Sequence, residues 1–212
     1  MANIEIKQLG MRDYAEVWQM MQEFTDTRDE TTCDQLWCLE HPPVFTQGQA
    51  GKEEHLLATG DIPVIQVDRG GQVTYHGPGQ LVLYTLIDIR RLKISVRNLV
   101  TSIEDSVIDM LRDVDIPARS DRNAPGVYTE SGEKICSVGL RIRRGRSFHG
   151  LALNVAPDLS PFERINPCGY AGLKVTSMAR LGVNSSIDDV SKHLVNALAS
   201  RLGYNNVLWE TP

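Results

Sequence analysis

A chain of 212 residues with 42% hydrophobic content can bury one sizeable core, and no Pro/Gly/Ser-rich or single-charge run interrupts it, so residues 1–212 are expected to form a single domain. A formal net charge of −5 excludes a broadly basic nucleic-acid-binding surface and leaves only a local basic patch for an acidic protein partner. The opening Met1-Ala-Asn-Ile-Glu-Ile6 lacks the basic and apolar regions of a signal peptide, and no later apolar run approaches a membrane span, so a soluble, cytoplasmic protein without membrane contact is expected.

From residue 12 to about 24, Tyr14, Val17, Trp18, Met21 and Phe24 recur at helical spacing and predict an amphipathic helix. Short apolar segments follow at residues 35–39, 64–67 and 81–89, divided by Pro42-Pro43, Gly70-Gly71 and Gly77-Pro78-Gly79; they read as strands joined by turns. A second helix, from 96 to about 114, carries the apolar stripe Leu99, Val100, Ile103, Val107, Met110 and Leu111. Next comes a hairpin: a strand at 126–129, a turn at Glu130-Ser-Gly-Glu133, a strand at 134–142, a turn at Arg143-Arg-Gly-Arg146, and a further strand at 148–155. A third helix follows Ser186, with Asp189 in capping-box position, and Gly203 would cap its end. Strands outnumber helices and cluster in hairpins. This predicts an α/β or α+β domain with a mixed, largely antiparallel sheet covered by helices, rather than a doubly wound parallel sheet.

The four cysteines, Cys33, Cys38, Cys136 and Cys168, are expected to be reduced, so each serves packing or chemistry. Cys38, inside Leu36-Trp-Cys-Leu39, has the surroundings of a packed residue; Cys168, between Pro167 and Gly169 in a loop-like stretch, has those of an exposed, reactive one. Lys134 opens an apolar strand after a turn, so its stem can sink into the sheet, although most lysines so placed are simply solvated. Strand alternation puts Lys134 on the face of Cys136, Val138 and Leu140, which leaves Cys136 as a rival nucleophile.

Arg69-Gly-Gly-Gln-Val-Thr-Tyr-His-Gly-Pro-Gly-Gln80 sets glycines and hydrogen-bond donors beside a strand, where a ligand can approach the backbone. No Gly-Lys-Ser/Thr follows and the segment runs into a strand, so neither phosphate-loop nor dinucleotide chemistry applies; a glycine-rich hairpin with a surface histidine is the plain alternative. In Phe148-His-Gly-Leu-Ala-Leu-Asn-Val155, Gly150 and Ala152 share one face and would leave a shallow channel for an alkyl chain. His149 falls on the other face as a hydrogen-bonded structural residue, and Asn154 must find a partner if buried. Cys33-x4-Cys38 with His41 lacks a second tightly spaced ligand pair, no His-Glu-x-x-His helix exists, and papain-like surroundings are missing, so no metal site and no such hydrolase are expected. Arg141, Arg143, Arg144 and Arg146 form a basic cluster that either meets an acidic carrier protein or edges a solvated hairpin.

Taken together, Glu40-His-Pro-Pro-Val-Phe-Thr46, the segment from Arg69 to Gln80, Lys134-Ile-Cys-Ser-Val-Gly139, His149-Gly-Leu-Ala-Leu-Asn154, Asn166-Pro-Cys-Gly169 and Val175-Thr-Ser177 closely resemble the bacterial lipoyl(octanoyl) transferase family in order and spacing, over residues 36 to about 181. The resemblance implies the biotin/lipoate protein ligase fold. It implies transfer of an octanoyl (or lipoyl) group from acyl carrier protein, through a cysteine thioester, to a lysine of the lipoyl domains of 2-oxoacid dehydrogenases and of the glycine-cleavage H protein. It makes Cys168 the nucleophile and Lys134 its partner. Its acyl pocket falls on Arg69, Gly70, Gly71, Gln72, Val73, Thr74, Tyr75, His76, Ser137, Val138, Gly139, Gly150, Leu151 and Ala152.

The implied chemistry is consistent. A free thiol is only a few per cent thiolate near neutrality, and an adjacent ammonium favours the thiolate. Passage from carrier thioester to enzyme thioester to amide is downhill without ATP, so no nucleotide or other cofactor is required. In the second step a partly desolvated Lys134 with a lowered pKa would accept the proton of the incoming amine. Two rival readings remain: an ATP-dependent lipoate or biotin ligase, which needs no cysteine nucleophile, and a non-catalytic module that binds an acyl chain or a lipoyl domain and needs neither Cys168 nor Lys134.

Overall fold

A computed structural model describes residues 2–210; Met1, where the leader argument begins, lies outside the described residues, as do Thr211 and Pro212. In chain order the elements are β1 (Asn3–Met11), α1 (Tyr14–Thr27), β2 (Asp34–Glu40), β3 (Val44–Gln47), β4 (Val64–Gln66), β5 (Val73–His76), β6 (Gln80–Leu86), α2 (Val96–Arg112), β7 (Ala118–Ser120), β8 (Gly126–Thr129), β9 (Lys134–Arg143), β10 (Arg146–Asn154), α3 (Ile187–Arg201) and β11 (Asn206–Trp209). Eight strands form one sheet in the order β11-β1-β2-β6-β10-β9-β8-β7, and β4-β3-β5 form a second. Among the strands of the described residues, only β1 with β2 and β11, and β3 with β4, run parallel. The remaining pairs are antiparallel, as the hairpin pattern led us to expect.

Alternation along the central strands sorts the core into two layers. Leu81 and Leu83 of β6, with Leu151 and Leu153 of β10, meet the α2 stripe of Leu99, Ile103 and Val107 and the α3 stripe of Leu194, Val195 and Leu198. Val82, Tyr84 and Leu86 face the opposite way and pack with Val17 and Met21 of α1. Each such fully buried leucine contributes about 1.5–3 kcal/mol relative to an exposed one. The helix ends follow local chemistry. Asp13 accepts from the amides of Ala15 and Glu16, Ser95 and Asn98 form a capping box, and Ser186 accepts from Asp189 N. Gly203, at φ +80°, takes the left-handed turn that ends α3.

Five strands were not among the expected elements: β1, β3, β5, β7 and β11. Every residue of β3 and β5 is buried, so neither shows a period of two. β1 does alternate, with Ile4 and Ile6 buried around Glu5, but its partners β2 and β11 are parallel and distant in sequence. The expected strand at 81–89 stops at Leu86, because the Asp88 carboxylate accepts from the amides of Arg90 and Arg91 and turns the chain. Gly77-Pro78-Gly79 does not close a hairpin: β5 belongs to the small sheet and β6 to the large one, so this turn carries the chain between sheets.

Candidate active site

β9 opens at a bulge. Val127 stands opposite Cys136 while Tyr128 stands opposite Lys134, so Ile135 is an extra residue and simple alternation fails between Lys134 and Cys136. The Lys134 side chain is buried and its Nζ donates to Cys168 Sγ (3.0 Å), to the Pro125 carbonyl (3.0 Å) and to Tyr128 Oη (3.1 Å). Burial opposes the charge on this amine, but the neighbouring Cys168 and Tyr128 together outweigh it and hold the Lys134 pKa above its ordinary value. The lowered pKa expected from desolvation alone is therefore not the state of the free site.

Cys168 sits at φ +57°, ψ +16° in the short turn Pro167–Gly169. A left-handed conformation costs a non-glycine residue roughly 1–2 kcal/mol. Surrounding bonds impose it: Gly169 N donates to Asn166 O (3.0 Å), Asn166 N to His55 O (2.9 Å), and the returning chain is stitched to the lysine itself by Lys134 N to Lys174 O (2.8 Å) and Thr176 N to Lys134 O (2.9 Å). Two segments 34 residues apart, as the hydrogen bond between their side chains records, are thus tied backbone to backbone. The rival thiol does not share this setting. Cys136 is enclosed in the core and burial pushes it up to about 12, as burial does Cys38.

From Cys168 and Tyr170 a cavity of about 400 Å³ runs across the sheet. Its floor follows two cross-strand rows, Ser137–Ala152–Val82 and Gly139–Gly150–Tyr84. Val96 and Val100 of α2, residues 123–125, and Arg69, Gly70, Gly71, Gln72, Val73, Thr74 and His76 line the rest of it. Val138, Leu151 and His149 also line it. Tyr75 lies outside, since alternation between Thr74 and His76 turns its ring into the cluster of Phe45, Phe162 and Ile165.

Two of the sequence arguments need correcting. Gly150 and Ala152 do line the cavity, but the glycine itself is demanded by the close approach of β6, since a methyl on Gly150 would run into the Leu83 carbonyl. His149 is not on the face away from Gly150. Its φ of +60° breaks the alternation, and its ring stacks on Phe148 and meets Tyr84 edge-on at the cavity. A methyl on Gly139 would press closely on Gly70 O and the Arg69 stem, beside the bond from Gly70 N to Leu140 O (3.0 Å).

Buried polar groups beneath the cavity are paired and mostly neutral. His76 donates from Nδ1 to Gln80 Oε1 (2.8 Å), and Gln80 Nε2 bonds Asn154 Oδ1 (2.9 Å), which gives Asn154 its partner. His41 donates from Nδ1 to Arg12 O and accepts from the Tyr84 hydroxyl, both at 2.7 Å. Burial lowers His41 to about 4, holds His76 well below its ordinary value and pushes Tyr14 up to about 12. His149 Nε2 donates to Asp68 (2.9 Å); burial still keeps the imidazole below its usual value, while the His149 and Trp18 bonds overcome burial and hold Asp68 at about 2. Arg69 is buried against Thr46, with Nη2 2.6 Å from its carbonyl oxygen, and no carboxylate pairs with it among the described residues.

Three of the four clustered arginines have partners on the protein, and Arg144 is exposed at the turn between β9 and β10. Arg141 bonds Gln49, Arg143 pairs with Asp26 (2.8 Å) and Asp68 (3.6 Å), and Arg146 pairs with Asp88 (3.6 Å). Sequence reasoning passed over Tyr14, Val82, Tyr84, Val96, Tyr128 and residues 123–125; Tyr14 and Val100 were visible only as helix stripe. Among the described residues no group of three or more His, Cys, Asp or Glu side chains could hold a metal ion, and no helix is long and apolar enough to cross a membrane.

Residues 13–199 match the model of the lipoyl protein ligase A/B catalytic domain. An octanoyltransferase of Vibrio vulnificus is 61% identical over 206 residues, covering 97% of this chain and 94% of that protein. An octanoyltransferase of Shewanella woodyi is 58% identical over 207 residues, covering 98% and 94% respectively. In three dimensions, a bi-partite lipoate protein ligase of Thermoplasma acidophilum superimposes with a TM-score of 0.78 at 17% identity, covering 100% of this chain and 88% of that one, a likeness of fold.

Proposed function

Since the chain belongs to the lipoyl protein ligase A/B catalytic domain family and is an acyltransferase that moves octanoyl groups in protein lipoylation, we propose that the octanoyl group travels through a thioester on Cys168 while Lys134 carries the proton. The observation that supports this reading is the 3.0 Å contact between Lys134 Nζ and Cys168 Sγ at the end of an apolar cavity. The donor is an octanoyl thioester of acyl carrier protein. The acceptors are lysines of the lipoyl domains of 2-oxoacid dehydrogenases and of the glycine-cleavage H protein.

The reaction starts from the Cys168 thiolate with the Lys134 ammonium 3.0 Å from its sulfur. The Cys168 sulfur attacks the donor carbonyl, the carrier's C–S bond breaks, and the departing thiolate takes a proton from Lys134. Acylation thus leaves Lys134 neutral beside an uncharged thioester. Of the influences on this amine, burial is the largest and it disfavours charge; the negative sulfur, which together with Tyr128 had outweighed it, is now gone. Lys134 is then a base in place for the second step. The acceptor's neutral amine attacks the acyl carbon, its surplus proton moves to Lys134 Nζ, and the Cys168 thiolate departs, restoring the original pair. No step needs ATP. Arg69, Gly70 and Gly71, Gln72 to Thr74, His76, Ser137 to Gly139 and Gly150 to Ala152 enclose the chain during both steps. All four cysteines are free, and a nucleophile that must remain a thiol suits the reducing cytoplasm.

An ATP-dependent ligase on this fold would not need the cysteine. Octanoyl-carrier protein and a lipoyl domain, mixed with this chain without ATP, should yield octanoylated domain, and Cys168→Ser should stop it. Modification driven by octanoate and ATP without carrier, undiminished in the Cys168→Ser chain, would overturn the proposal.

A further inference from the structure

Resting on the Cys168–Lys134 reading above, we infer that Tyr128 is a positioning residue which, together with the Pro125 carbonyl, aims the lone pair of neutral Lys134 at the reacting atoms over Cys168. An ammonium has three N–H bonds, and Lys134 has three acceptors around it: Cys168 Sγ, Pro125 O and Tyr128 Oη. A carbonyl can only accept. The Tyr128 hydroxyl has its own proton committed to Ala124 O at 2.9 Å, so towards Lys134 it too presents lone pairs alone. When Lys134 gives up one proton, the two that remain stay on these two acceptors. The lone pair is left in the third tetrahedral direction, towards the sulfur. With Pro125 O as the only fixed acceptor, rotation about the Cε–Nζ bond would leave that direction undetermined.

The second acceptor is itself anchored. Glu104, buried on α2, accepts from Gly126 N at 2.8 Å and so pins the Pro125–Gly126 peptide, and a methyl on Gly126 would run into the Cys136 carbonyl and the end of the Lys134 side chain. Tyr128 is buried and its ring centroid is 4.9 Å from Lys134 Nζ, so the aromatic face steadies the ammonium as well. In the transfer step the amine nitrogen bonds to the acyl carbon, the C–S bond breaks and the amine proton goes to Lys134. Tyr128 neither gains nor loses a proton.

Tyr128→Phe removes the acceptor and keeps the ring. The chain is first acylated with octanoyl-carrier protein, the acyl-Cys168 form is confirmed by mass, and a lipoyl domain is then added in single-turnover mixing over a pH series. For Tyr128→Phe, acylation should stay within a few-fold of the unsubstituted chain, which also shows that the variant is folded. The plateau rate of transfer should fall about tenfold, about 1.4 kcal/mol of barrier. The rising limb should move to lower pH, because the lost acceptor had favoured the ammonium. Unchanged plateau and limb would overturn the proposal, and so would an equal loss in both steps with the limb unmoved. Failure of the unsubstituted chain to acylate Cys168 would instead bring down the underlying reading.

Discussion

Enlarging Ala152 to leucine should shorten the acyl chain that the cavity accepts. Ala152 stands between Ser137 and Val82 on adjacent strands, and Ser137 is three residues along β9 from Lys134. Because Ile135 is bulged out, Ser137 and Lys134 stand opposite Gly126 and Tyr128, two steps apart on β8, so at about 3.3 Å per residue the Ala152 row lies about 7 Å along the strand from Lys134, beside the outer half of an octanoyl chain on Cys168. Three further carbons on that wall would displace about two methylenes of the substrate. Each buried methylene contributes about 0.8 kcal/mol, so the loss is about 1.6 kcal/mol, roughly 15-fold in kcat/KM. The assay is the octanoyl-to-hexanoyl ratio of kcat/KM, with both acyl groups presented on carrier protein. Ala152 also belongs to the cluster of Val17 and Met21, and overpacking there can cost about 1–3 kcal/mol of stability. That penalty lowers both rates alike and leaves the ratio intact. A fall in both rates with an unchanged ratio would refute the placement of the chain along this row.

Lys134→Ala should slow both steps, by about 10²- to 10⁴-fold if the amine acts as acid and then as base; single-turnover acylation at an unchanged rate would remove it from the chemistry. Stability should depend on pH through the buried imidazoles. His41 is lowered to about 4 by burial, and His76 and His149 are also depressed, so the unfolded chain binds more protons than the folded one below about pH 6.5. The stabilisation is therefore fully present above that pH and is lost as pH falls towards 4, with His41 alone accounting for about 2 kcal/mol at about pH 5. Urea midpoints measured at about pH 7 and pH 5 should show this drop; a midpoint indifferent to pH across that window would contradict the neutral, buried assignment.

Much of the fold could be read from local pattern because local pattern decides it. The stripes of α1 and α2 and the Ser186 cap of α3 are visible in twenty-residue windows, as are the turns that join β8, β9 and β10. β3 and β5 were hidden because full burial on both faces erases alternation. At the site, Cys168 stood out through its flanking Pro167 and Gly169, which demand an unusual backbone. Tyr128 did not, because its place beside Lys134 depends on a bulge at Ile135 that no residue type announces. The same holds for His149, whose positive φ moves it onto the face that a regular strand would have denied it. The raised pKa of Lys134 in the unacylated site could not be read from its own surroundings in the sequence. Desolvation is a property of one residue, whereas the cysteine that helps to reverse its effect comes from a segment 34 positions away.

Incubating the chain with octanoyl-carrier protein in the absence of any acceptor, followed by intact-mass measurement and peptide mapping, addresses the thioester itself. One octanoyl group should appear, confined to Cys168, and should leave when a lipoyl domain is added. A chain that stays unmodified, an adduct on Cys136, or undiminished octanoyl transfer by a Cys168→Ala chain would contradict it.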